Sequence, residues 1–320
     1  RQNDHTENAP VAIETTIKET PTFPLLLPVS GATEAALQAN AKALLKEMSP
    51  KGRLAGVSLE DLAAALATKR SHLKCRAVIL ARSIKQAKSG LRKLAAGKDD
   101  AENIAIGQSQ IDQKICFTFA GQGSQWWAMA RDLLHHSEVF RSKVDEFDTC
   151  FVSVAGWSIK DELLREESES RINDTTVTQP ALFAIQAGLA AVWKQFGIKP
   201  DMVVGHSIGE AAASHVAGGL SMSGAAKFLS KRGEIRDQVG KRGAMAAIGL
   251  HHDDVDALLV EEPNIGIAAI NGTGSTTISG DYDAVHDFVD EFQMVYRDTF
   301  VRLLQVDTAW HSYHLDAGED

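Results

Sequence analysis

Apolar and polar positions divide this chain into stretches with different rhythms. Residues 1–23 are polar, with Thr-, Glu- and Pro-containing runs, and read as a tail or linker. Residues 24–106 carry the pattern of a small α/β unit. Leu25–Val29 is a short apolar run expected to be a strand. Ala32–Met48 repeats Ala36, Leu37, Leu44, Leu45 and Met48 at helical spacing. Ser58 opens a helix over Leu59–Ala67, with Asp61 in capping-box register. Leu73–Leu80 alternates as a strand, and Ile84–Leu94 is a third helix. The polar stretch 99–113 marks a boundary.

From 107 to 243 strands and helices alternate. Ile115–Ala120 reads as a buried strand, followed by helices near 126–134 and 137–149. Pro180 is expected in the first turn of a long helix reaching Phe196, where its missing N–H costs nothing, and Gly197 ends that helix. Met202–Val204 is the next strand, and Ser221 caps a helix running to about Val239. This alternation predicts a parallel, doubly wound sheet. Residues 244–306 change the order. A strand (Ala244–Leu250) and helix (Asp253–Val260) precede two strands (Ile265–Ile270, Thr276–Ser279). A helix (Asp283–Phe292) and strand (Phe300–Val306) complete the ferredoxin-like βαββαβ signature. The chain therefore reads as α/β: a hydrolase-like parallel-sheet lobe (107–243) with an inserted ferredoxin-like subdomain (244–306), preceded by a small α/β linker unit. Residues 307–320 start the return to the large lobe, and a cleft between two lobes is a usual place for substrate.

Composition narrows the functions. Apolar residues make up 44% and charged residues 23% of 320, as in a globular protein. A net charge of −9 argues against nucleic acid or an anionic membrane as a general partner, and no apolar run is long enough to span a bilayer. Cys75, Cys116 and Cys150 lie far apart without a C-x-x-C pair, which fits a reducing cytoplasm and argues against a disulfide framework or a zinc site. The chain begins at Arg1 and stops just past a motif that belongs inside a domain, so it is expected to be a C-terminally truncated piece of a longer polypeptide.

The chemistry gathers at Gly205-His206-Ser207-Ile208-Gly209, between an apolar strand and a segment of helix formers. Strand, sharp turn and helix with Ser207 at the apex form a nucleophile elbow. Its base would come from His215, His251, His252, His286, His311 or His314. His215 falls on a scaffold face and His286 inside a helix, whereas His311 follows the last strand of the subdomain, where the chain re-enters the cleft. His251 and His252 precede Asp253-Asp254 at a helix start; exposure and capping explain them, and a His-Asp metal site there is disfavoured because consecutive side chains diverge. Backbone N–H groups of Ile208 and of Gln122, in the turn Gly121-Gln122-Gly123, can receive an oxyanion. Arg232 shares a helix face with Phe228, Ile235 and Val239, and a guanidinium on an apolar face calls for a fixed anion or a structural salt bridge.

Taken in order, these segments resemble the malonyl-CoA:acyl-carrier-protein acyltransferases found as domains of type I polyketide synthases. The matching stretches are Phe119–Trp126, Thr178–Gln186, Gly205–Glu210, Lys231–Gly233, Asn271-Gly272 with Ser279–Asp281, and Val306–Ser312. Leu27–Ser30 and Thr68–His72 resemble the linker subdomain between ketosynthase and acyltransferase. The resemblance implies that Ser207 attacks an acyl-CoA thioester, His311 is its base, Gln122 and Ile208 hold the oxyanion, and Arg232 binds the free malonyl carboxylate. Gln179 and Asn271 match positions where an amide orients the Ser or the substrate. The segment Thr308-Ala309-Trp310-His311 is closer to the family's malonyl pattern His-Ala-Phe-His than to its methylmalonyl pattern, and Trp310 is expected to crowd an α-methyl branch. No tightly bound cofactor or metal is implied. The substrates are malonyl-CoA and the phosphopantetheine arm of an acyl carrier protein, and the partners are the ketosynthase and other domains of one cytoplasmic megasynthase, for polyketides or, in second place, fatty acids. Two alternatives remain: an α/β-hydrolase-type serine esterase, against which stand a missing HGGG-type loop and Asp307 as the only acid just before His311, four residues away and too close, and a catalytically inactive docking fragment.

Overall fold

The computed structural model describes residues 24–98, 102–110, 112–123, 125–239, 243–304, 306 and 308–318. The expected tail at 1–23 and the esterase acid Asp307 lie outside the described residues. The chain divides into two compact units after Gln113.

The first unit is an antiparallel sheet with helices packed on it. It runs β1 (Leu25–Gly31), α1 (Glu34–Glu47), α2 (Leu59–Thr68), β2 (Cys75–Ala81), α3 (Ile84–Ala95) and β3 (Ile104–Gln108), in sheet order β1-β2-β3. Each helix starts where the sequence supplies a hydroxyl: Thr33, Ser58 and Ser83 accept the N–H of Ala36, Asp61 and Gln86. Alternation along β1 and β2 buries Leu27, Val29, Cys75, Ala77 and Ile79 against Leu37, Ala41, Ala87 and Leu91. β3 arises inside the stretch expected to be a polar boundary and spans the expected 106/107 junction. Of its residues only Ile104 is buried; backbone pairing with β2 rather than apolar burial makes it a strand, which periodicity does not reveal.

The second unit opens with β4 (Cys116–Phe119), then α4 (Arg131–His136), α5 (Glu138–Ala155), α6 (Ile159–Leu164), α7 (Thr175–Gln195), β5 (Met202–Gly205), α8 (Gly209–Val216) and α9 (Met222–Val239). β4 and β5 pair in parallel, Phe119 opposite Gly205. Phe140, Phe147 and Phe151 of α5 and Phe183 of α7 are at most 1% exposed and anchor the core, with Phe147 and Phe183 ring centroids 4.7 Å apart. Several expectations shift. Residues 127–130 form turns, and regular helix begins only at Arg131. α5 continues to Ala155, where Gly156 takes φ +78 and ends it. Pro180 is the sixth residue of α7, not in its first turn, because Asp174 accepts the Thr176 N–H and starts the helix earlier. The helix continues past Pro180 because burial of Ala181 to Ile185 outweighs one missing backbone bond.

The rest of the unit is β6 (Gly243–Ile248), α10 (His252–Leu258), β7 (Ile265–Gly272), β8 (Ser275–Asp281), α11 (Tyr282–Val295) and β9 (Val301–Leu303). Its antiparallel order β7-β8-β6-β9 is that of a ferredoxin-like sheet. Ala246, Ile248, Ile265 and Ile278 meet Val255, Val285, Val289 and Phe292 in its core. Among the described residues no helix is long and apolar enough to cross a membrane.

Candidate active site

The turn from β5 into α8 requires two backbones to touch. A Cβ on Gly209 would fall 2.2 Å from the carbonyl oxygen of Phe119, so only glycine fits where α8 starts against the end of β4. The His206 N–H donates to that same Phe119 carbonyl at 2.9 Å. Held from both sides, Ser207 adopts φ +51, a left-handed conformation that a non-glycine residue occupies only under constraint. The elbow read from the sequence is thus present as geometry, not only as spacing.

Ser207 Oγ lies 2.9 Å from His311 Nε2. Burial holds the His311 imidazole below its ordinary pKa, the Arg232 and His206 charges push it further down, and Glu210 opposes them. The ring therefore stays neutral near pH 7 and can accept the Ser207 proton. The turn carrying Gln122 is adjacent, since a Cβ on Gly121 would sit 3.4 Å from Ser207 Cβ. Neither the Gln122 nor the Ile208 backbone N–H has an acceptor among the described residues. Two free donors beside the nucleophile are what an oxyanion requires.

The second half of the site surrounds Arg232 on α9. Its Nε donates to Gln179 Oε1 at 2.9 Å, and its guanidinium carbon lies 4.1 Å from the ring centroid of Trp310. No carboxylate among the described residues pairs with it, and burial lowers its pKa. Of the neighbours expected on its face, Phe228 is 46% exposed and Ile235 only half-buried, while the Val239 side chain lies outside the described residues. The apolar setting of the guanidinium comes from the Trp310 face instead. Gln179 also reaches Gln122 Oε1 at 3.5 Å, and Gln122 Nε2 donates to Thr175 Oγ1 at 3.0 Å, so α7 supports both the oxyanion turn and the cation. Gln122, Gln179, Ser207, Asn271, Trp310 and His311 line one cavity of ≈ 290 Å³.

Asn271 lines this cavity and holds the elbow one residue before Ser207. Its Oδ1 is 2.8 Å from His206 Nε2 and its Nδ2 donates to Thr277 Oγ1 at 3.0 Å. It ties the elbow to the ferredoxin-like sheet through the residue before Ser207, not through Ser207 itself. That partnership of His206 was missed, although His206 stands inside the elbow motif. Among the remaining histidines, His215 bonds the Leu220 carbonyl and His286 stacks on Tyr282. His251 accepts the Asp253 N–H as the cap of α10. The divergence expected of His251, His252 and Asp253 is not observed: their ligand atoms come within 4.8 Å of one another, because the helix start folds the cap residue over the first turn.

Residues 116–320 match the acyl transferase domain family, and residues 25–91 match the CurL-like, PKS C-terminal family. The chain is 35% identical over 296 residues to erythronolide synthase EryA2 of Saccharopolyspora erythraea, covering 92% of this chain and 8% of that protein. It is 36% identical over 320 residues to the highly reducing polyketide synthase sphB of Aspergillus fumigatus, covering 98% of this chain and 12% of that protein. Among solved structures it is similar to the acyltransferase domain from module 8 of the salinomycin polyketide synthase, with TM-score 0.79, 31% identity, and coverage of 89% of this chain and 66% of that one. It is also similar to the acyl transferase domain of SpnD, solved in complex with 2-(pent-4-yn-1-yl)malonyl, with TM-score 0.77, 29% identity, and coverage of 92% and 67%.

Proposed function

This chain belongs to the acyl transferase domain family, the acyltransferases of modular polyketide synthases, and we propose that it moves a malonyl group from CoA to the phosphopantetheine thiol of an acyl carrier protein through an ester on Ser207. Ser207 Oγ attacks the thioester carbonyl while His311 Nε2 takes its proton. The oxyanion is received by the Gln122 and Ile208 N–H groups. Collapse expels the CoA thiolate, which recovers the proton from His311. The carrier thiol then repeats the sequence in reverse on the Ser207 ester, with His311 again taking the proton. No cofactor takes part in these steps. The reaction sits in the cytoplasm, where CoA thioesters are available, and the product feeds a ketosynthase of the same megasynthase.

The observation that carries this reading is Arg232: a partly buried cation beside the nucleophile, oriented by Gln179 and Trp310, with no carboxylate partner among the described residues. A diacid thioester supplies the missing anion, and a simple acyl ester does not. The substituted malonyl group held by the related SpnD domain supports the same substrate class. Trp310, buried against the Arg232 guanidinium, is the side chain expected to crowd an α-methyl branch and so to favour malonyl over methylmalonyl. The test is intact mass after brief incubation with malonyl-CoA, acetyl-CoA or methylmalonyl-CoA, followed by peptide mapping. One malonyl group on the Ser207 peptide, absent in Ser207→Ala, is expected. A folded chain that takes no label is the inactive docking fragment, and rapid hydrolysis of simple esters without label transfer identifies an esterase.

A further inference from the structure

Three side chains with no part in these steps meet at one carboxylate oxygen. Asp281 ends β8 and stands at the N-cap of α11. An Asp at that position ordinarily accepts a first-turn N–H, a cap that contributes about 1 kcal/mol. Asp281 makes no such bond. Its Oδ1 accepts the Tyr313 O–H at 2.5 Å and lies 2.6 Å from His314 Nε2. The two contacts agree from both sides: they hold the Asp281 carboxyl below the usual carboxylate range, and the carboxylate pushes the Tyr313 hydroxyl up to about 12.

The donors come from the segment that carries His311. On the other side of that histidine, Thr308 and Ala309 are fully buried, and Trp310 lies on Arg232. Ala309 packs on Gly243, the residue opposite Asp281 in the β6–β8 ladder. Ser312 Oγ donates to the Ala309 carbonyl and accepts the His314 N–H, closing the turn. His311 sits between these anchors at φ +60, a conformation that persists only when the surroundings over-determine it. Its Nε2 faces Ser207 Oγ and its Nδ1 has no partner among the described residues, so the backbone of this segment, rather than a bond at Nδ1, sets where the ring lies.

We propose that Asp281 is a positioning residue for His311: through Tyr313 and His314 it fastens the segment to the end of the ferredoxin-like sheet, so that His311 Nε2 meets Ser207 Oγ. This assignment rests on the reading of His311 as the base, and it gives a role to the Ser279-Gly280-Asp281 motif, which the transfer chemistry leaves unused.

The test is the single-turnover rate of Ser207 acylation by malonyl-CoA. Displacing a catalytic group by about 1 Å costs on the order of 100-fold. Asp281→Ala is accordingly expected to slow acylation roughly 10- to 100-fold, with the half-saturating malonyl-CoA concentration unchanged within about two-fold. Asp281→Asn keeps an acceptor and recovers most of the rate. In a His311→Ala background, adding Asp281→Ala costs nothing more. Equal losses in both backgrounds, or a change in half-saturation with the rate intact, overturn the assignment. Should Asp281→Ala fail to fold, Tyr313→Phe and His314→Leu each remove one donor, and each is expected to slow the same step; full rates in both overturn it. A wild-type chain that is not acylated at Ser207 overturns the proposed function and this assignment with it, whereas normal wild-type acylation with additive losses overturns this assignment alone.

Discussion

Replacing Arg232 with Ala separates a ligand-binding cation from a structural one, because the two predict opposite signs for stability and activity. In the free protein the guanidinium donates to Gln179 and lies against Trp310, without a carboxylate partner among the described residues. Its removal forfeits one hydrogen bond of about 1 kcal/mol and a cation–π contact of roughly 0.5–2 kcal/mol. It also relieves the desolvation of a partly buried charge, which lowers the Arg232 pKa and opposes that loss. The net change in folding free energy is within about 1 kcal/mol, a Tm shift of a few degrees in either direction. With a malonyl carboxylate bound, the same substitution removes charge-assisted hydrogen bonds of about 1.5–3 kcal/mol each. Discounted for partial exposure, the loss for a bidentate contact is roughly 2–4 kcal/mol, or about 30- to 1000-fold in acylation by malonyl-CoA. Acetyl-CoA has no carboxylate, so its rate is expected to hold within a few-fold. The assay is single-turnover labelling of Ser207 with both thioesters, alongside thermal unfolding. Equal losses for malonyl and acetyl would remove Arg232 from substrate binding. A fall in Tm of ten degrees or more, about 3 kcal/mol for a unit of this size, would make it a structural residue.

Four further outcomes follow from the same geometry. The base must be neutral to work, so acylation is lost as pH falls through the His311 pKa; because that pKa is lowered, the acid limb of the rate profile lies below the ordinary imidazole value of about 6.5. Arg232→Ala moves that limb toward neutrality, since it removes a positive charge that disfavours the imidazolium; an unmoved limb measured with acetyl-CoA refutes the contact. Gly209→Ala forces a methyl group to 2.2 Å from the Phe119 carbonyl, so it either destabilises the unit by several kcal/mol or displaces Ser207, and a variant with wild-type Tm and acylation rate contradicts the packed elbow. In ultraviolet titration one of the three tyrosines ionises near pH 12, and Asp281→Asn returns it toward 10. The sign follows from the carboxylate, which disfavours a phenolate beside it, so the stability Tyr313 contributes is present below pH 10 and disappears as pH rises toward 12.

What the sequence by itself determined is local or periodic. Serine and threonine caps at Thr33, Ser58, Ser83, Ser137 and Ser158 start helices because a hydroxyl satisfies a free N–H within its own turn, with no help from the rest of the chain. The elbow is legible for the same reason: strand, glycines, serine and helix all fall within a few residues. The ferredoxin-like order follows from alternating periods of two and 3.6 positions. Tertiary structure decided whatever depends on partners far along the chain. β3 is a strand through its bonds to β2, although every one of its residues but Ile104 is exposed. Pro180 is carried inside α7 by packing that a local rule does not weigh. Asn271 pairs with His206 across 65 positions, and His314 reaches Asp281 across 33. His311 and His314 are only three residues apart, and the sequence singles out His311 through its place after the last strand and the family resemblance. Which of them faces Ser207 depends on how the returning segment lies on β6 and β8, because side-chain direction is set by backbone placement and not by residue type.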